Sequence, residues 1–166
     1  MKEYGYMETG AEGNREDLAF RRELCDKYRP IVERLMTYLP WLESKKGDSV
    51  SNKFTGEGIE EHSIPFPVYD STLLALVKLL QSSILIDRNY VYVYSRNRIK
   101  TREDEFKLIA KSDLKDTANI GAIMSKYVIE GMRRGSMWTE AVTSGIFLEA
   151  IKKLKANIEF WDVPIK

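Results

Sequence analysis

The chain contains one cysteine and one histidine among its 166 residues. A single cysteine, Cys25, excludes an intramolecular disulfide and a metal site built from several thiolates. Free cysteine is among the most frequently buried residue types, so we interpret Cys25 as a core residue. His62 has no second histidine or cysteine with which to form a metal site, and we interpret it as a loop residue. Nothing in this composition argues for a metal or another cofactor.

The sequence also lacks a long hydrophobic run and a strong net charge. No segment approaches the roughly 20 apolar residues of a membrane span, and residues 1–14 do not resemble a signal peptide. The 26 Lys and Arg residues nearly balance the 25 Asp and Glu residues. This balance argues against a protein whose whole surface binds nucleic acid or membrane, so any basic site must be local. We expect a cytoplasmic protein, and the sequence indicates no oligomeric state.

The spacing of the apolar residues is typical of a mostly α-helical protein, and we predict five to seven helices. Apolar residues recur every three or four positions over long segments, for example at Ile120, Ile123, Tyr127 and Val128. Residues 1–14 combine glycines with acidic residues, so we predict a mobile N-terminal leader followed by a single helical domain over residues 15–166. Pro30 should either kink one long helix or begin a second one.

Side-chain caps predict where two of the helices begin. Asp70 or Ser71 is placed to cap a strongly apolar helix, because a short side-chain oxygen accepts from the first free amides. Thr101 with Asp104 three residues later resembles a capping box.

A small β-hairpin is predicted near residues 84–95. Two runs rich in Ile, Val and Tyr flank the polar segment 87–89, which is a pattern typical of two strands and a tight turn. If residues 90–102 are extended, every second side chain lies on the same face. That face would carry an aromatic and basic ladder, formed by Tyr90, Tyr92, Tyr94, Arg96, Arg98, Lys100 and Arg102.

This ladder is the candidate binding site, and two kinds of partner fit it. Aromatic residues and arginine are enriched at protein interface hot spots, which favours another protein as the partner. An apolar patch around Trp138 and Trp161 is a second place for such a contact. The alternative is nucleic acid, since rings that stack on bases and cations that bind phosphates together hold single strands.

No catalytic motif is present in the sequence. Glu130 lies one turn before Arg133 and Arg134 and has the chemistry of a general acid or base. Pairs with this spacing are more often solvated contacts on a helix surface. The sequence therefore favours a non-enzymatic binding or accessory protein.

Two segments resemble a family of small bacterial and phage proteins catalogued as domain of unknown function 6508. The first, Pro65 to Ile86, has an aromatic and proline entry followed by an apolar helix. The second, Asp113 to Leu154, contains the runs Tyr127-Val128-Ile129-Glu130-Gly131 and Ser144-Gly145-Ile146. The resemblance implies a mostly helical fold, an origin in a phage or mobile element, and a small accessory protein rather than a metabolic enzyme. It carries no known activity.

Overall fold

The computed structural model describes the backbone of residues 2–47, 51–52 and 68–162 and the side chains of residues 18–47 and 70–160. In this part the chain forms eight α-helices: α1 (Lys2–Met36), α2 (Leu39–Lys45), α3 (Ser71–Gln81), α4 (Tyr90–Arg96), α5 (Arg102–Lys111), α6 (Thr117–Gly131), α7 (Ser136–Thr143) and α8 (Ile146–Asp162). The mostly helical class is confirmed, with more helices than the predicted five to seven. No described helix is both long and apolar enough to span a membrane.

Two minor elements complete the described backbone. A 3-10 turn covers Leu114–Asp116, between α5 and α6. The two-residue strands β1 (Ser51–Asn52) and β2 (Val68–Tyr69) pair antiparallel, with Ser51 opposite Tyr69.

The helix α1 runs without a break through Pro30. Proline has no amide hydrogen, so one backbone hydrogen bond of the helix is missing there, yet the helical range continues to Met36. Of the two predicted outcomes for Pro30, the start of a second helix is wrong. Helix bounds do not measure motion, so the mobile leader over residues 1–14 stays a prediction.

Two helices, α6 and α8, form the centre of the core. The helix α6 contacts α3, α4, α5, α7 and α8, while α8 also packs on α1 and α2. Ile120, Ile123 and Val128 of α6 are fully buried, as the helical stripe predicts. Phe147 of α8 is fully buried too and lies edge to face with Tyr127 of α6, with the ring centres 6.5 Å apart.

Both predicted helix starts are confirmed. The Asp70 carboxylate accepts a hydrogen bond from the Thr72 amide at 2.7 Å and caps α3. At α5, the Thr101 hydroxyl accepts from the Asp104 amide and the Asp104 carboxylate accepts from the Thr101 amide, both at 3.1 Å. Local side-chain chemistry therefore fixes where these two helices begin.

The predicted β-hairpin near residues 84–95 is wrong. Residues 90–96 form the helix α4, and the segment before it consists of turns rather than a strand. A run of alternating Tyr and Val is apolar at every position, so it fits a helical period as well as a strand period. Tertiary contacts decide between the two: Val93 is buried, whereas Val91 and Tyr92 point to solvent.

The connection between α3 and α4 is held directly on α6. The Leu85 carbonyl oxygen would lie only 2.6 Å from a Cβ added at Gly121, so the two backbones approach closely here. The Ser125 hydroxyl accepts from the Asp87 amide at 2.8 Å and donates to the Gly121 carbonyl at 2.7 Å. These contacts set the position of α4, which starts three residues after Asp87.

Candidate functional site

The solvent-facing side of α4 combines apolar and basic side chains. Val91 is 63% exposed and Tyr92 is 67% exposed. The guanidinium of Arg96 lies 5.5 Å from the centre of the Tyr92 ring, a distance typical of a cation–π contact. We give the name outer face of α4 to six exposed residues in and beside this helix: Arg88, Val91, Tyr92, Ser95, Arg96 and Arg98.

Arg98 adopts a backbone conformation that normally favours glycine. Its φ angle is 54°, the only positive φ among the described residues other than glycine. It closes α4 in a Schellman motif: the Ile99 amide donates to the Tyr94 carbonyl at 2.9 Å and the Arg98 amide donates to the Ser95 carbonyl at 3.2 Å. An arginine at this position costs about 1–2 kcal/mol relative to right-handed backbone.

The substitution Arg98→Gly should therefore stabilise the fold. Glycine relieves the left-handed strain but loses more entropy on folding, so we expect a net gain of about 0.5–1 kcal/mol in the free energy of unfolding. Urea denaturation measures it. The matched variant Arg96→Gly changes a residue with helical backbone and should lose about 1 kcal/mol. Equal losses at both positions would contradict the strain at Arg98.

The other side of α4 faces the protein interior. The Tyr90 phenol donates to Glu130 of α6 at 2.9 Å, and the Tyr94 phenol donates to Glu105 of α5 at 2.5 Å. The two rings meet edge to face, with centres 6.2 Å apart. Because Tyr90 and Tyr94 are one helical turn apart, a helix brings both phenols to the same side. They anchor α4 to its two neighbours.

Glu105 is the centre of a buried polar cluster. Its side chain is 2% exposed, and it accepts from the Tyr94 phenol and, at 2.6 Å, from the Tyr127 phenol. The Lys126 ammonium lies 3.5 Å from the same carboxylate and 5.0 Å from the centre of the Tyr94 ring. A buried carboxylate is tolerated when hydrogen bonds and an opposite charge satisfy it, and this one has both.

This environment raises the pKa of the two phenols. Burial, together with the negative charge of Glu105, raises the pKa of Tyr94 well above its ordinary value. Burial and the hydrogen bond to Glu105 also raise the pKa of Tyr127. Both groups are therefore held as neutral hydrogen-bond donors at neutral pH.

These shifts predict a loss of stability in alkaline solution. The pKa of each phenol is higher in the folded chain than in the unfolded one, so the stabilisation is complete below about pH 10 and is lost as the pH rises further. Urea midpoints at about pH 9 and about pH 11 measure the decline. A Tyr94→Phe variant removes one of the two groups and should show a shallower decline. An unchanged slope would show that Tyr94 is not perturbed.

A polar cavity of about 220 Å³ opens beside this cluster. It is bounded by α4, α5, α6 and α7 and by the connections between α4 and α5 and between α6 and α7. Arg102 lies at its edge and pairs with Glu140 of α7 at 3.4 Å. The cavity is lined by Tyr94, Ile99, Lys100, Thr101, Arg102, Glu105, Lys126, Tyr127, Glu130, Arg134, Met137 and Glu140.

The structure divides the seven predicted binding residues between different environments. The outer face of α4 keeps Tyr92, Arg96 and Arg98 exposed. Tyr90 and Tyr94 turn inward, because the segment is a helix rather than a strand. Lys100 and Arg102 lie at the cavity. The predicted continuous ladder on one face does not form.

The structure describes one of the two tryptophans of the predicted patch. Trp138 is partly buried, its ring covers Gly131, and its indole nitrogen donates to the Val128 carbonyl at 3.0 Å. Trp138 thereby fastens α7 to α6. The side chain of Trp161 and the whole of His62 lie outside the described residues.

Sequence reasoning missed Glu105, Lys126 and Tyr127. Glu105 was hidden in the acidic first turn of α5, where carboxylates commonly face solvent and favour the helix dipole. One signal was available: Glu105 precedes Leu108 and Ile109 by three and four residues, so it lies on the apolar side of its own helix. A carboxylate on a buried stripe indicates a partner elsewhere in the fold.

No known protein family matches this chain, and the comparisons with curated proteins and with solved structures find no match either. The resemblance to domain of unknown function 6508 therefore stays a prediction. Among the described residues, no group of three His, Cys, Asp or Glu side chains is arranged to hold a metal ion.

Proposed function

We propose that this chain is a non-enzymatic binding protein that contacts another protein through the outer face of α4. The observation that carries the proposal is the exposure of two adjacent large apolar side chains, Val91 and Tyr92, at 63% and 67%. Arginine and aromatic residues are enriched among the few residues that dominate the binding energy of protein interfaces, and Arg96 lies against the Tyr92 ring. The cytoplasmic location and the phage or mobile-element origin remain predictions from the sequence.

Charge defines the partner further. Between residues 84 and 102 the chain has five basic residues and a single acid, Asp87. Arg102 is paired with Glu140, which leaves four cations on or beside α4 with no acid within ion-pairing distance in the described part of the chain. Complementary charge steers association and selects partners, so the partner surface should be acidic around an apolar centre.

The strained arginine supports a binding role for this face. Residues held in unfavourable backbone conformations cluster at functional sites. At such a site the residue type serves the function, although another residue type would give a more stable fold. Glycine at position 98 would fit the left-handed backbone, yet this chain has a cation there. We interpret Arg98 as retained for contact rather than for stability.

The interior cluster favours binding over catalysis. The Glu105 carboxylate is engaged by two phenols and by Lys126, so about three of its four acceptor positions are used within the protein. A general acid or base must reach the proton that it transfers to or from a substrate. Glu105 is better suited to holding α4, α5 and α6 together.

Nucleic acid is the second candidate partner, favoured by the cations Arg88, Arg96, Arg98 and Lys100. Stacking on several bases is not available, because only Tyr92 of the three tyrosines in α4 has its ring in solvent. Binding would then depend on phosphate contacts and would weaken steeply with salt.

Site-specific photocrosslinking tests the proposal. A photoreactive amino acid at position 92 should crosslink one particular protein in cells that carry this chain naturally, whereas the same group at Met132, which is equally exposed at 66%, should not. With that partner purified, Tyr92→Ala should weaken binding by about tenfold or more, the loss typical of a hot spot.

Two measurements separate a failure of binding from a failure of folding. Tyr92→Ala should leave the thermal midpoint nearly unchanged, since its side chain is outside. A single-stranded oligonucleotide should bind weakly, and a strongly salt-dependent affinity that is lost in Arg96→Gln would favour the second candidate. Equal crosslinking at positions 92 and 132 would overturn the proposal.

A further inference from the structure

The cavity beside Glu105 is lined by four cations and three carboxylates. Two of the carboxylates are already paired: Glu105 with Lys126 at 3.5 Å, and Glu140 with Arg102 at 3.4 Å. The third, Glu130, accepts one side-chain hydrogen bond from the described residues, from the Tyr90 phenol at 2.9 Å. A carboxylate has about four acceptor positions, so Glu130 retains acceptor capacity.

Two cations of the lining keep their donors free. Lys100 and Arg134 have no carboxylate within 4.0 Å among the residues that the structure describes. Within the described part of the chain, the Arg134 guanidinium makes one side-chain hydrogen bond, to the Met137 sulfur at 3.9 Å, and a thioether is a weak acceptor. A guanidinium is the side chain best suited to hold an oxyanion with two parallel hydrogen bonds.

The size of the cavity limits what it holds. Its volume of about 220 Å³ corresponds to roughly seven water molecules at their share of liquid volume, about 30 Å³ each. Cavities that hold drug-sized ligands are larger, about 300–1,000 Å³. A small molecule fits inside this volume, whereas most of a nucleotide or a peptide would lie outside it in solvent.

From these complementary groups we propose that the cavity binds a small carboxylic acid that also carries an ammonium or hydroxyl donor. Its carboxylate pairs with Arg134 and Lys100, and its donor group bonds to Glu130. The paired groups Glu105 with Lys126 and Arg102 with Glu140 hold the walls in place. The cavity shares only Lys100 with the cations proposed to select a protein partner, and ligand binding in the cavity does not require protein binding at the outer face of α4.

Nuclear magnetic resonance titration of the full chain tests the site. The probes are a mixture of the common α-amino acids, a mixture of α-hydroxy acids, and inorganic phosphate, each at matched ionic strength with sodium chloride as the reference. We expect saturable shifts of the Lys126, Tyr127 and Glu130 amide signals with one of the two acid mixtures. The mixture that causes these shifts shows whether the donor group of the ligand is an ammonium or a hydroxyl group.

Single-residue variants separate a built site from general charge attraction. Arg134→Gln should weaken binding of the active probe by about tenfold or more, since it removes a charged hydrogen bond. Glu130→Gln should weaken it too, because the donor of the ligand loses its charged acceptor. Arg34→Gln in α1 carries the same change of charge at an exposed residue outside the cavity lining and should leave the affinity unaltered. Thermal midpoints confirm that each variant is folded.

Three outcomes would overturn the inference. Neither acid mixture shifts the cavity signals in a saturable way. Phosphate alone binds as tightly as the acids, which removes the need for a donor group. Arg34→Gln weakens binding as much as Arg134→Gln, which shows attraction to net positive charge rather than a site.

Discussion

Replacing Glu105 by alanine is expected to lower the free energy of unfolding by about 3–5 kcal/mol. The side chain is 2% exposed and serves two phenols and one ammonium. Removing it leaves the half-buried Lys126 without its counter-charge and both Tyr94 and Tyr127 without their acceptor. Each buried polar group left without a partner costs about 1–3 kcal/mol. Urea denaturation of the two proteins measures the difference.

A nearby glutamate provides the control. Glu103 lies two residues earlier in the same helix, is 77% exposed, and pairs with Lys107 at 3.5 Å. Glu103→Ala should cost no more than about 1 kcal/mol, as for other surface ion pairs. Glu105→Gln keeps the shape and one acceptor oxygen, so its loss should fall between the two alanine variants. If alanine at 105 is as harmless as alanine at 103, the cluster does not hold the three helices together.

The second large effect is expected at Gly121. Glycine inside a helix is normally unfavourable, so Gly→Ala should add about 0.5–1 kcal/mol of stability on propensity alone. In α6 the added Cβ would lie 2.6 Å from the Leu85 carbonyl oxygen, a backbone atom that cannot rotate away. We expect Gly121→Ala to destabilise the protein by about 1–3 kcal/mol, the usual cost of overpacking.

The sign of this effect is the test, because helix propensity and steric conflict point in opposite directions. Chemical denaturation gives the sign. The exposed Ala118 of the same helix provides the comparison: Ala118→Gly should lose about 1 kcal/mol from propensity alone. A stabilised Gly121→Ala protein would show that the connection between α3 and α4 does not lie against α6 as described.

The helical class and several helix starts follow from local signals. The caps at Asp70 and Thr101 act within three residues, so the sequence contains all the groups involved. The buried stripe through Ile120 and Ile123 likewise needs only the helical period.

The error at α4 has a physical reason. Five consecutive Tyr and Val residues satisfy the strand period and the helical period equally, so local patterning does not decide between them. The decision rests on Glu130, 40 positions after Tyr90, and on Glu105, 11 positions after Tyr94. Local sequence patterns do not show which carboxylate accepts a hydrogen bond from which phenol. The sequence does not reveal the cavity beside Glu105 for the same reason, since its lining comes from four helices and two of the connections between them.

The shortness of α4 determines how its binding surface can be studied. A helix of seven residues does not persist in water without neighbours, because isolated helices shorter than about 12–15 residues are marginal. The hydrogen bonds of Tyr90 and Tyr94 to α6 and α5 keep this segment helical. A synthetic peptide spanning this region would lack the hydrogen bonds from Tyr90 to Glu130 and from Tyr94 to Glu105. Without them, the peptide would not hold Val91 and Tyr92 side by side on a helix. Only the intact protein offers that surface.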